Sequence, residues 1–165
     1  MGQKTHPTGI RIGINKTQSS TWFANYGAFS DVLKEDYQIR QFFEKEFSVL
    51  YNKAGIAKLE INRKVNQLEL LIYAARPKSI ASSSDEEGTI VKLQSKLKRI
   101  LKNPKQVRIK VLQINKSENE SSLVARSIAD QLEKRVAFRK AIRQTTQMLQ
   151  KSGVKGFKIQ VSGRL

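Results

Sequence analysis

The sequence predicts an α+β fold: helix, strand, strand, helix, helix, strand, with an extended arm before it and an incomplete α/β unit after it. Three observations predict this. Apolar residues recur at spacings of three and four in three separate stretches, which is the helical period. Four short runs alternate apolar with polar residues, which is the strand period. The first sixteen residues carry glycines and cations but no acid, with too little apolar content for a regular element.

The arm is MGQKTHPTGIRIGINK, Met1 to Lys16, with glycine at 2, 9 and 13 and Pro7. A disordered tail would fit this composition, but the regular placement of Ile10, Ile12 and Ile14 implies that one side is covered. From Glu35 to Asn52, Ile39, Phe42, Phe43, Phe47 and Leu50 define a helix with one buried face. Ala57 to Asn62 sets Ala57, Leu59 and Ile61 against Lys58, Glu60 and Asn62, and Gln67 to Ala74 alternates through Leu68, Leu70 and Ile72. With turn residues Arg63 to Asn66 between them, these are two strands in hairpin order. Arg76-Pro77 ends the second, and a short helix or loop follows. Thr89 to Lys102 then places Ile90, Leu93, Leu97, Ile100 and Leu101 on one helix face, with Lys92, Lys96, Lys98, Arg99 and Lys102 on the rest. Asn103-Pro104 stops it, and Val107, Ile109 and Val111 mark a third strand.

A second unit begins near Asn115. Leu123 to Lys151 is helical in two phases, Val124, Ile128 and Leu132 on one stripe and Phe138, Ile142, Thr145 and Leu149 on another, so a break is expected between Glu133 and Val136. Phe157, Ile159 and Val161 alternate as a final strand. One strand makes no sheet, so it pairs elsewhere or lacks its continuation.

With 31 Lys and Arg against 14 Asp and Glu, the 165 residues carry +17 and a pI near 10.3. Nucleic acid is the partner that such an excess serves, because each cation that meets a phosphate releases condensed counterions. A membrane would need a long apolar span or an amphipathic basic helix with an exposed apolar face, and the apolar runs are only a few residues long. Hydrophobic residues make up 39%, so the chain is expected to draw part of its stability from a partner. There is no cysteine, hence no disulfide and no thiolate chemistry. No apolar h-region opens the chain, and a myristoylation start fails at His6.

The charge is segregated. Gly88 to Ser117 and Lys134 to Leu165 each hold nine Lys and Arg and no acid, +18 together, so the remainder sums to −1. A surface shaped for solubility would mix both signs. Arg135, Arg139 and Arg143 are four apart, which predicts a row on one helix face that Lys140 extends; a solvated face is the competing reading. Guanidinium forks suit phosphate oxygens, and their mutual repulsion is relieved when the anion is present. Catalysis finds no support. His6 is the only histidine. Asp85, Glu86 and Glu87 lack the spacing of a calcium loop. No catalytic residue, metal or cofactor is predicted.

GQKTHPTGIRIG, STWFANY, KEDYQIRQFF, ELLIYAARP, LVARSIADQLEKRVAFRKAIRQ and GVKGFKIQVSGRL follow in this order over essentially the whole chain. Together they resemble the bacterial and chloroplast uS3 family of small-subunit ribosomal proteins, with WFA closest to cyanobacterial and plastid members. The resemblance implies a type II KH domain over residues 35–114, after an arm and extension over 1–34, and the start of an α/β C-terminal domain over 115–165. It implies a structural, non-enzymatic role in the small-subunit head. The partners implied are ribosomal RNA of the small subunit, messenger RNA at its entry site and neighbouring small-subunit head proteins, with no membrane. The location implied is the plastid stroma, with the bacterial cytoplasm as the alternative. Gly2, Gln3, Lys4, Arg11 and Arg135 are the implied ribosomal RNA contacts, and Arg139, Lys140 and Arg143 the messenger-entry residues.

Two departures stand out. A KH domain grips RNA with a GxxG loop, whereas here ARP runs into KSIASSSDEEG, leaving only Gly88 and three carboxylates. That loop, Ser82 to Glu87, is expected to be mobile and turned away from RNA. The family also continues past GRL with further strands; a truncated chain, a split gene or a long insertion would each fit. Two rivals remain: a free KH regulator of RNA, opposed by the absent GxxG, and a metal nuclease built on the acidic triplet.

Overall fold

A computed structural model describes residues 3–46, 54–81, 89–101 and 106–164. The core unit has two layers. Strands β1 (Ser20–Thr21), β2 (Ile56–Arg63), β3 (Gln67–Ala74) and β4 (Gln106–Gln113) form one sheet in the order β1-β2-β3-β4. Helices α1 (Tyr26–Glu46) and α3 (Thr89–Ile100) pack on one face of it, and α2 (Lys78–Ala81) leads from β3 into α3.

Antiparallel β2 and β3 set Leu59 opposite Ile72 and Ile61 opposite Leu70, so the side-chain period of two delivers every second residue to the same face. All four of those side chains are buried, with Ile39, Phe42 and Phe43 of α1 and Leu93 and Leu97 of α3 against them. The expected inward pattern of β2 departs at Ala57. A bulge between Ile56 and Lys58 gives Ile56 the core position and leaves Ala57 half-buried. Strand β4 joins β3 in parallel, which requires the α2–α3 crossover. Gly55 turns the chain into β2 at φ 62, and a Cβ there would lie 3.2 Å from that of Ala75.

Helix α1 begins nine residues before the expected Glu35. Sequence periodicity detects a helix by its buried face, and residues 26–34 bury almost nothing: Tyr26, Phe29 and Leu33 are exposed, as is Tyr37 one turn further on. Phe47 and Leu50, expected to complete the stripe, lie outside the described residues, as do the Ser82–Glu87 loop and Gly2.

The arm is not extended. Two consecutive turns occupy residues 7–16, and Ile10, Ile12 and Ile14 are exposed, so nothing within the described chain covers them. The arm joins the body through β1, whose Ser20 and Thr21 pair in parallel with Ile61 and Asn62. Arg40 reinforces the junction, donating to the Ser19 carbonyl (3.1 Å), the Ser19 and Ser20 hydroxyls (3.2 and 2.8 Å) and the Leu59 carbonyl (3.4 Å). Beneath it, buried Asp36 accepts from Trp22 Nε1 at 2.8 Å and from Arg63 Nε and Nη2 at 2.8 and 2.5 Å, while Arg63 Nη1 reaches Glu35 at 2.7 Å.

The second unit consists of α4 (Ser121–Glu133) and α5 (Phe138–Lys151), broken where the phase shift predicts. Their contact buries Ile128, Ala141, Thr145 and Leu149. Phe138, assigned to the buried stripe from sequence, is instead exposed, because the contact centres on small Ala141 and the row i, i+4, i+8. The Ser122 hydroxyl donates to the Ala57 carbonyl at 3.4 Å, tying this unit to β2. The final strand expected over 157–161 is not formed. Those residues run as irregular chain along α4 and α5, with no neighbouring strand among the described residues to ladder with.

Candidate nucleic-acid interface

Helix α5 is the most one-sided element of the chain. Ala141, Thr145 and Leu149 face α4, and the Thr145 hydroxyl satisfies itself on the Ala141 carbonyl at 2.9 Å. The opposite side presents Arg139, Lys140 and Arg143, all exposed, in the first two turns. The first turn contains no acid, and N-cap Ala137 offers no side-chain acceptor. The positive end of the helix dipole therefore adds to three cations instead of being neutralised. Arg139 lies 5.8 Å from the centroid of the Phe138 ring, which explains why an exposed phenylalanine stands there: it supports the guanidinium.

Arg135 does not stand in this row. Helix α4 ends at Glu133, and Arg135 adopts φ 58 in the turn between the helices, outside both. Its N–H donates to the Leu132 carbonyl at 2.9 Å and the next, from Val136, to Gln131 at 3.0 Å. This is the usual pair of helix-terminating bonds, built on an arginine where glycine is the unstrained choice. The same pair closes α5, there with Gly153 at φ 75: Gly153 N–H to Gln150 at 3.2 Å and Val154 N–H to Leu149 at 3.4 Å. The i, i+4 spacing continues across the break, but the helix does not.

The arm supplies a second basic surface. Gln3, Lys4 and Arg11 are exposed, and Arg11 Nη1 folds back onto the Pro7 carbonyl at 2.5 Å. A third surface, not assigned a role from sequence, is the outer side of α3, where Lys92, Lys96, Lys98 and Arg99 are exposed beside Leu93 and Leu97 of the core. The acid-free stretch that contains it was visible in the sequence. The placing of its cations away from the apolar face was likewise expected from the helical spacing, and the burial of Leu93 and Leu97 agrees with it.

The outer face of the sheet carries both signs of charge. Lys110 of β4 bonds Glu69 of β3, and this ammonium holds the Glu69 carboxyl below its ordinary value. Lys58 bridges Glu60 at 2.5 Å, and Glu60 accepts from the Tyr73 hydroxyl at 3.2 Å. Partial burial, and then the Glu60 carboxylate, raise the Tyr73 phenol. Excess cation thus lies on the arm, α3 and α5, and mixed charge on the open sheet. Among the described residues no group of three or more His, Cys, Asp or Glu side chains could hold a metal, and no helix is long and apolar enough to cross a membrane.

Comparison with known proteins adds the following. A model of the C-terminal domain of ribosomal protein S3 matches residues 128–165. Across its full 165 residues the chain is 68% identical to the small ribosomal subunit protein uS3c of Emiliania huxleyi, spanning 76% of that protein. It is 48% identical to uS3c of Pyropia yezoensis, spanning 69% of it. With the uS3 protein of the cyanobacterium Synechocystis, identity is 41% over 66% of that chain.

Proposed function

This chain belongs to the uS3 family of small ribosomal subunit proteins, and from that premise we propose that it is a plastid-type structural constituent of the subunit head that grips RNA on two surfaces. The arm, through Gln3, Lys4 and Arg11, and the interhelical Arg135 meet ribosomal RNA; Gly2 belongs with them by its place in the sequence. The Arg139, Lys140 and Arg143 face of α5 lines the path of entering messenger RNA. The observation that carries this reading is the sidedness of α5, with Ala141, Thr145 and Leu149 locked against α4 and three cations opposite, without an acid in the first turn. Such a helix is a rigid rail for phosphates.

Residues 35–114 act as a type II KH domain, and 115–165 open the C-terminal domain. The order helix, strand, strand, helix, helix, strand, with both longer helices on one face and β3 parallel to β4, supports the KH assignment. In place of the GxxG clamp, α2 begins immediately after Pro77, so this domain acts as a scaffold and leaves RNA contact to arm and helices. The exposed side of α1, Tyr26, Leu33 and Tyr37, is apolar opposite a face that is already buried. A neighbouring head protein is a fitting cover.

Sucrose-gradient sedimentation tests the reading: the chain is expected to travel with small subunits at physiological salt, and recovery only from the free pool would refute it. Replacing Arg139, Lys140 and Arg143 with alanine is expected to slow translation through structured messages more than subunit assembly. Equal loss of both would move this face from messenger to ribosomal RNA. For isolated RNA, the slope of log affinity against log salt is expected to fall by about 2 to 3 in the triple variant.

A further inference from the structure

The arm contains the chain's one histidine, and its ring is bonded into the backbone of the turn. His6 Nδ1 accepts the Gly9 N–H at 3.0 Å, and the His6 carbonyl accepts the Ile10 N–H at 3.3 Å. Between them Pro7 presets its backbone angle for a turn and disfavours a helical conformation at His6. The Arg11 guanidinium crosses the same turn to Pro7, and the Arg11 carbonyl collects three N–H groups, from Ile14, Asn15 and Lys16 at 3.3, 3.2 and 3.0 Å. Gly13, at φ 84, makes the second turn possible. None of residues 3–18 is buried. With no core beneath it, the shape of this loop rests on these few bonds, and His6 makes the one that comes from outside the loop's own backbone and Arg11.

We infer that His6 is a positioning residue for RNA binding: its ring closes the turn that presents Lys4 and Arg11 to phosphate in a preformed arrangement. The inference rests on the reading of the arm as an RNA contact. An arm already folded when it meets RNA does not lose that conformational freedom on binding, so the bound state is reached with less ordering. To accept at Nδ1 the imidazole must be neutral with its proton on Nε2. An asparagine, whose amide oxygen accepts backbone N–H groups in the same manner and which favours turns before proline, is the conservative replacement.

The test compares the full chain with His6→Ala, His6→Asn and the double variant Lys4→Ala/Arg11→Ala, binding a fragment of small-subunit head ribosomal RNA over a range of salt. His6→Ala is expected to lose about five-fold in affinity with an unchanged salt slope, since the cations still reach their phosphates once bound. His6→Asn is expected to recover most of that loss. In the free protein, amide exchange at Gly9 is expected to speed up in His6→Ala and to slow again in His6→Asn. Normal RNA affinity in His6→Ala overturns the inference. So does failure of asparagine to rescue, which would make the ring itself the RNA contact. If the Lys4/Arg11 variant keeps both affinity and slope, the arm does not meet RNA, and the underlying reading fails first. A reduced slope in that variant beside a silent His6→Ala refutes the positioning role alone.

Discussion

Asp36→Ala is expected to loosen the arm and destabilise the whole chain. Asp36 is buried and accepts three hydrogen bonds, two from Arg63 and one from Trp22 Nε1. The Arg63 side chain is only 5% exposed, so deleting the carboxylate leaves a guanidinium out of water with Glu35 as its remaining partner at 2.7 Å. Breaking a buried pair costs about 3–5 kcal/mol, and the surviving Glu35 contact puts the Arg63 share near the lower end. Stranding the indole N–H adds about 1 kcal/mol, for a total of about 4. For a chain of this length each kcal/mol moves the midpoint by about 2–4 °C, so Tm is expected to fall by about 8–16 °C. Urea titration followed by the fluorescence of Trp22, the chain's single tryptophan, reports both the global transition and release of the arm. Trp22→Phe, which removes the indole donor with part of the ring and is followed by circular dichroism because no tryptophan remains, is expected to cost about 1–2 kcal/mol, and the double variant less than the sum, since both changes delete the same bond. A loss below about 1 kcal/mol for Asp36→Ala would show that Arg63 finds water, and the argument from burial would fail.

Arg135→Gly is expected to be neutral to stabilising by about 1 kcal/mol, because the left-handed conformation costs an arginine about 1–2 kcal/mol, partly offset by glycine's greater freedom when unfolded. Gly153→Ala, at the equivalent place after α5, is expected to destabilise by about 1 kcal/mol; calorimetry of both variants checks the pair. If Arg135→Gly also weakens RNA binding, the strain is retained for contact. Glu69 has a lowered folded value, so its contribution is present above the ordinary carboxylate value of 4.5 and disappears as pH falls through the depressed one. Glu69→Gln is therefore expected to be less stable than the parent at neutral pH, with the gap closing in acid and in salt. Leu97→Ala, at a fully buried position between α3 and the sheet, is expected to cost about 2–5 kcal/mol by denaturant titration.

Much of the basic surface was legible because charge and apolar period are local properties. The helix break between Glu133 and Val136 follows from two stripes that one straight helix cannot bring to the same side. The exposure of Arg139, Lys140 and Arg143 follows from their offset from Thr145 and Leu149. What misled was continuity: a spacing of four carried Arg135 into a helix it does not enter, because a terminating turn can interrupt a helix without disturbing the count of residues. The start of α1 was missed for the opposite reason. Residues 26–34 are helical yet bury little, so no buried face announced them.

By itself the sequence determined the period of the longer helices and of β2, β3 and β4, the segregation of charge into two acid-free stretches and most core residues of β3 and α3, since each depends on neighbours a few positions away. Only the tertiary structure decided the rest. Trp22, Asp36 and Arg63 meet across 14 and 27 positions, and Arg40 reaches Ser19 over 21. Strand Phe157 to Val161 failed to form because a strand is a property of two segments, and alternation in one of them cannot supply the other.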